Sequence, residues 1–162
     1  MHRVALHLQK QAMEAPADQK DAFARSAYNR FYYSVFLQSR EMMKQLDSKW
    51  STLPHADYPK VLNGKVLRTF KLERRRAEKN RDRDLIKSID QAMFSIERLR
   101  DIILAANVTR VVADYEPEEA IVFTAADNYS LSNIDVSDAR GWTTQTAAHC
   151  RTILRAWNQF NA

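Results

Sequence analysis

With 162 residues, 45% of them hydrophobic and 28% charged, the chain is long enough for one domain around its own core, and glycine at only two positions argues for helices over a loop-rich or sandwich fold. A lone cysteine, Cys150, excludes an internal disulfide; the N-terminus has no signal-like apolar core and no apolar run approaches the roughly eighteen residues of a membrane span, so a cytoplasmic protein is expected. The net charge of +5 is concentrated, because nine basic residues against Glu73, Glu78 and Asp82 give residues 65–83 a local balance of +6.

A first short helix is expected over Arg3–Met13, where Val4, Leu6, Leu8 and Met13 recur among polar residues before Pro16 interrupts. Asp18 is a suitable N-cap for a second helix from about Gln19 to Leu46. In that helix Phe23, Ala27, Phe31, Ser34, Val35 and Met42 share one broad apolar face. Arg30, Tyr33 and Leu37 fall on the neighbouring stripe, so Arg30 is expected to be a buried charge among aromatics. After the turn Asp47–Pro54 a third helix restarts between His55 and Pro59, with Val61, Leu62, Val66, Leu67 and Phe70 on its buried side, and ends in the charged run.

Asp82 or Asp84 opens a fourth helix, in which Leu85, Ile86, Ile89, Met93, Ile96, Leu99 and Ile103 keep a helical period and which closes near Asn107. Ile121–Thr124 and Tyr129–Ser132, after the breaker Glu116-Pro117, predict a small β-hairpin at about 120–132. Ser137 is the expected N-cap of the last helix, whose Ala139, Trp142, Thr146, Cys150, Ile153, Trp157 and Phe160 follow a three-four repeat. The expected fold class is all-α: an up-and-down bundle of about five helices in a single domain, 1–162, with the hairpin inserted before the last helix.

The run Arg25-Ser-Ala-Tyr-Asn-Arg30-Phe-Tyr-Tyr-Ser-Val-Phe36 resembles the second-helix signature of the HEPN superfamily, compact helical domains of prokaryotic defence, toxin and nucleotide-sensing systems. Arg110-Val-Val-Ala113-Asp114-Tyr115 resembles the Arg-x-x-Ala-Asp-Tyr segment that many of these domains carry before their last helix. The two segments stand in the expected order and spacing and cover most of one domain. The resemblance implies a helical bundle that pairs into a homodimer through its second and last helices. Members that cut RNA carry an Arg-x4-6-His motif, two copies of which meet across the dimer in a metal-independent site. There histidine moves the ribose 2′-hydroxyl proton at neutral pH while arginine neutralises charge on the phosphate.

That motif is not intact here. Arg30 would need a histidine at 35, 36 or 37, where Val35, Phe36 and Leu37 stand. No arginine lies at the matching distance before His2, His7, His55 or His149. The leading expectation is therefore a catalytically degenerate binding or assembly module of a defence or toxin-antitoxin type system, engaging a protein partner from a neighbouring gene, RNA or a nucleotide. The alternative is an active endoribonuclease with a non-standard site, for which Arg30, Tyr33 and His55 are the candidates. A purely structural helical subunit is a further alternative.

Arg30 has two readings: paired with Asp114 to staple the second helix to the segment before the last one, or lining a groove with Tyr33 to bind phosphate. The stripe Arg68, Lys71, Arg75 and Lys79 could track an RNA backbone, or be a solvated face neutralised by Glu73, Glu78, Asp82 and Asp84. Tyr28, Tyr32 and Tyr33 read as packing aromatics, Trp142 and Trp157 as core or dimer contacts, and Cys150 as an inert core thiol. Zinc-ligand spacings, phosphate-binding glycine loops and nucleophile elbows are absent from the sequence, so neither metal nor cofactor is expected.

Overall fold

The computed structural model describes residues 1–125 and 127–161. Its elements are α1 (His2–Glu14), α2 (Ala17–Leu46), α3 (Tyr58–Val61), α4 (Leu67–Lys79), α5 (Arg83–Tyr115), β1 (Val122–Ala125), β2 (Asn128–Leu131), β3 (Ile134–Asp135) and α6 (Val136–Phe160). A π-helical turn, Leu62–Val66, joins α3 to α4 without a break, so the described chain folds as five helical bodies. The fold class is all-α with a small antiparallel sheet before the last helix.

Contacts divide the chain into two compact units. The first comprises residues 1–36 and 104–144, and the second residues 37–103 and 145–162. The first unit buries Ala5 and Ala12 of α1 and the α2 positions Ala24, Ala27, Tyr28, Phe31 and Tyr32 together with Val112, Tyr129, Leu131 and Trp142. Tyr28 ties α2 to the sheet: its hydroxyl donates to the Ile134 carbonyl at 2.6 Å, and its ring meets Tyr129 edge-on with centroids 5.8 Å apart. Burial, reinforced by Tyr129, holds that hydroxyl far above the ordinary tyrosine range.

The second unit is centred on Met42, Met43, Tyr58, Leu62, Phe70, Ile89, Ile96, Leu99 and Ile153, all essentially inaccessible. Phe70 of α4 packs against Trp157 and Phe160 of α6, with centroids 6.0 and 5.2 Å away. Cys150 is buried on α6, and burial pushes its thiol up to about 12.

Three expectations are corrected. The helix expected to close near Asn107 runs on to Tyr115. The β-branched run Val108-Thr-Arg-Val-Val is a weak helix former, yet burial of Val112 and Ala113 carries the helix on, and the buried Thr109 hydroxyl is satisfied by the Ala105 carbonyl at 3.0 Å. The hairpin gains a third strand: Ser132 and Asn133 at φ 48° and 63° make a two-residue loop that pairs Leu131 with Ile134. The last helix starts at Val136, one residue before Ser137, which places that serine inside the first turn.

The link from α4 to α5 is a Schellman turn with no glycine in it. Asp82 N–H donates to the Ala77 carbonyl and Arg81 N–H to that of Glu78, at 3.0 and 3.1 Å, with Arg81 at φ 57°. Asp82 then caps α5, its carboxylate accepting from Leu85 N–H at 3.0 Å.

Candidate functional site

Arg30, expected to be the buried cation of α2, is exposed. The enclosed arginine is Arg25, whose side chain is 13% accessible. The expected apolar face is buried at Ala27, Phe31, Ser34, Val35 and Met42, but the stripe beside it that carries Arg30 is not; the core widens on the other side, through Ala24 and Tyr28, which puts Arg25 at the boundary and Arg30 in solvent. Arg25 bonds Asp21 one turn back at 2.7 Å, and its two terminal nitrogens reach the carbonyls of Glu116, Pro117 and Glu119 at 3.2, 3.3 and 2.5 Å. These belong to the segment just after α5, where carbonyl groups lack helical partners. A guanidinium with five fixed donors suits that task.

The resemblance motif on α5 now has a physical account. Asp114 accepts from the Asn29 amide at 2.7 Å and forms an ion pair with Arg110 at 2.8 Å, one turn earlier on the same helix. Arg110 also lies over the Tyr115 ring, 5.4 Å from its centroid. Ala113 is buried, and its small side chain lets α2 approach. The expected staple between α2 and the Arg110–Tyr115 segment exists, but Arg25 and Asn29 make it. Asp114 is engaged by Asn29 and Arg110, not by Arg30.

Arg30 lies instead over Tyr33, 5.9 Å from the ring centroid, with no hydrogen bond or ion pair among the described residues. It lines a cavity of about 300 Å³ with Arg25, Ser26, Asn29 and Asp114, and the side-chain Oδ1 of Asn29 is buried and unpartnered. The nearby α1 histidine, His2, packs its ring on Phe31 with centroids 6.0 Å apart. Adjacent helical residues diverge by about 100°, so the contact is on the buried side of α2 while Arg30 is on the exposed one. His55 is exposed in a 3-10 turn, His55–Asp57, and belongs to the second unit, whereas Arg30 and Tyr33 belong to the first.

On α4 the structure sorts the charges that the sequence left interleaved. Glu73 is bound by Arg76 at 2.7 Å, Glu78 by Arg74, and Asp82 by the backbone of Leu85. Arg74 additionally grips Asp90 of α5, its Nε lying 2.5 Å from Oδ1. All three acidic residues of the run are thus engaged away from Arg68, Lys71, Arg75 and Lys79. Those four side chains are exposed on one stripe of α4 and have no ion pair among the described residues. At the start of the stripe, Arg68 and Lys71 line a shallow cavity of about 250 Å³ with Asn63 and Gly64 of the π-helical turn. A stripe of this kind, about 16 Å long at 1.5 Å per residue, can follow a row of phosphates.

Compared with protein-family models, curated proteins and solved structures, the chain matches none. Among the described residues no group of three or more His, Cys, Asp or Glu side chains is placed to hold a metal ion, and no helix is long and apolar enough to cross a membrane.

Proposed function

We propose that the chain is a HEPN-like helical binding module, catalytically degenerate, which serves a prokaryotic defence or toxin-antitoxin type system in the cytoplasm and engages RNA through the basic stripe of α4. The observation that carries this reading is the set of four exposed cations, Arg68, Lys71, Arg75 and Lys79, whose acidic neighbours in sequence are bound elsewhere. Unneutralised cations on one helix face attract phosphates without reading bases. The degenerate part rests on the α2 sequence, where Val35, Phe36 and Leu37 stand at the histidine positions and are buried or half-buried apolar side chains. Homodimerisation, which the resemblance implies, belongs to the same proposal.

Two assays test it. Retention of single-stranded RNA that falls with salt, and that is lost when the four α4 cations are neutralised together, is the expected result; retention indifferent to that change overturns RNA binding through α4. Incubation with RNA in EDTA tests degeneracy: cleavage that disappears in Arg30→Ala would make the protein a nuclease with a non-standard site.

A further inference from the structure

In the second unit, α5 and α6 border an open groove of about 530 Å³, wide enough to seat one face of a small ring system. From α5 come Asp90, Gln91, Phe94 and Ser95, and from α6 His149 and Thr152. Most of the lining is apolar, and its largest ring, Phe94, is 61% exposed at the rim. Single exposed apolar residues are ordinary on a surface. One that borders a groove of this size presents an aromatic face to whatever enters.

The polar groups narrow the chemistry of the occupant. The carboxylate of Asp90 is held by Arg74, at 2.5 Å from Nε and 3.5 Å from Nη2, and the Thr152 hydroxyl donates to the Ala148 carbonyl at 3.2 Å. An anion would meet Asp90 and find no cation lining the groove, while a cation would have to displace Arg74. Gln91 supplies an amide with both a donor and an acceptor. Burial, and then Arg98, hold His149 below the ordinary imidazole range, so near pH 7 its ring also carries one donor and one acceptor. A purely aliphatic ligand would cover the half-buried His149 ring without pairing it and would gain nothing from Gln91.

We propose that this groove takes an uncharged planar nitrogen heteroaromatic of nucleobase type, stacked on Phe94 with its polar edge turned to Gln91 and His149. A base face stacks on an aromatic side chain whatever its sequence, and its edge offers the mixed donors and acceptors that the two side chains complement. A free nucleoside and a base of single-stranded RNA share this chemistry. The inference goes beyond the proposed RNA contact of α4, and a chain with Arg68, Lys71, Arg75 and Lys79 neutralised should still bind nucleosides.

The experiment is calorimetric titration of the full chain with adenosine, guanosine, cytidine and uridine, and in a second arm with a single-stranded RNA dodecamer. Phe94→Ser, at an exposed position, and Gln91→Ala are the variants, with thermal melts to show that they fold. Saturable binding of one or more nucleosides, weakened at least tenfold by Phe94→Ser and measurably by Gln91→Ala, is expected if the ligand is free. Binding of RNA alone, weakened to the same extent by Phe94→Ser, would identify the base as part of a strand. Indifference of both arms to Phe94→Ser, or cyclohexanol competing as well as the best nucleoside, overturns the proposal.

Discussion

Arg25 donates to the carbonyl oxygen of Glu119 at 2.5 Å, joining α2 to the segment that leaves α5. The same guanidinium reaches Glu116 and Pro117, so one side chain collects carbonyls that would otherwise need water. Replacing it with alanine removes these charge-assisted bonds and returns the exposed carbonyls to water, Glu116 keeping only its bond from the Glu119 N–H. Arg25→Ala should lose roughly 2 kcal/mol, a fall in Tm of about 4–8 °C for a chain of this size. Arg30→Ala, at an exposed site, should stay within about 0.5 kcal/mol. Thermal unfolding of the two variants side by side checks the assignment, and the opposite order would return the structural role to Arg30.

Neutralising Arg68, Lys71, Arg75 and Lys79 should change the salt dependence of RNA binding as well as its strength. Each phosphate contact on a single strand contributes about 0.7 to the slope of log affinity against log salt. Four lost contacts should therefore flatten the slope by roughly 3 units. Neutralising Arg3, Lys10, Lys44 and Lys49, four exposed cations outside the α4 stripe, removes the same charge and should flatten it far less. Equal effects of the two sets would mean that net charge alone attracts the RNA.

The difference between what the sequence shows and what it hides is clearest on α2. Its helical extent follows from periodicity to within two residues, and the packing roles of Tyr28 and Tyr32 are legible because aromatics at three- and four-residue spacing need a core. Which of two arginines five residues apart is enclosed depends on the rotation of the helix, and the partners that decide it, the carbonyls beyond Tyr115, are about ninety residues away in the chain. Backbone acceptors carry no sequence signal. On α4 the cationic stripe was legible, but its freedom from neutralisation was not: Asp90, the anion that helps to occupy Arg74, comes from α5. The third strand was hidden because Ser132 and Asn133 at positive φ do not announce a tight turn as Asn-Gly would.

His149 gives a pH signature with a definite sign. Burial and then Arg98 lower its pKa in the folded chain, whereas the unfolded chain titrates near the ordinary value of 6.5. Between the two values the unfolded state binds more protons, so stability rises with rising pH through that window and is lost as pH falls. This contribution should be fully present above about pH 6.5, decline as pH drops through the folded pKa, and level off below it. NMR titration of the imidazole should show Arg98→Gln moving His149 upward, and His149→Gln should remove this part of the pH dependence of unfolding. An unchanged titration in Arg98→Gln would mean that burial alone sets the shift.

The Cys150 thiol offers a clock for opening of the second unit. Burial pushes it up to about 12, and the side chain is 7% accessible. Near pH 8 the native protein holds almost no thiolate, the form that reacts. A disulfide reagent should therefore label the folded chain only as fast as it opens, and the chain in denaturant within the mixing time. Rapid labelling of the native protein would contradict the burial of α6 at this position.

Arg81 sits at φ 57°, the position after the α4 C-cap where a left-handed conformation closes the Schellman turn. An L side chain there crowds its own carbonyl, a strain of roughly 1 kcal/mol that glycine does not suffer. The hydrogen bonds that close the turn are all backbone, from Arg81 and Asp82 to Glu78 and Ala77, so the arginine side chain is not needed for them. Glycine also enlarges the freedom of the unfolded chain, which offsets part of the gain. Arg81→Gly should therefore stabilise the protein by about 0.5–1 kcal/mol, raising Tm by about 1–4 °C, while Arg81→Ala keeps the strain and should gain nothing. Because Arg81 lies beyond the end of α4 and outside its cationic stripe, the glycine variant should melt later yet bind RNA with an unchanged salt slope. A destabilised Arg81→Gly would show that the side chain holds the turn through contacts of its own.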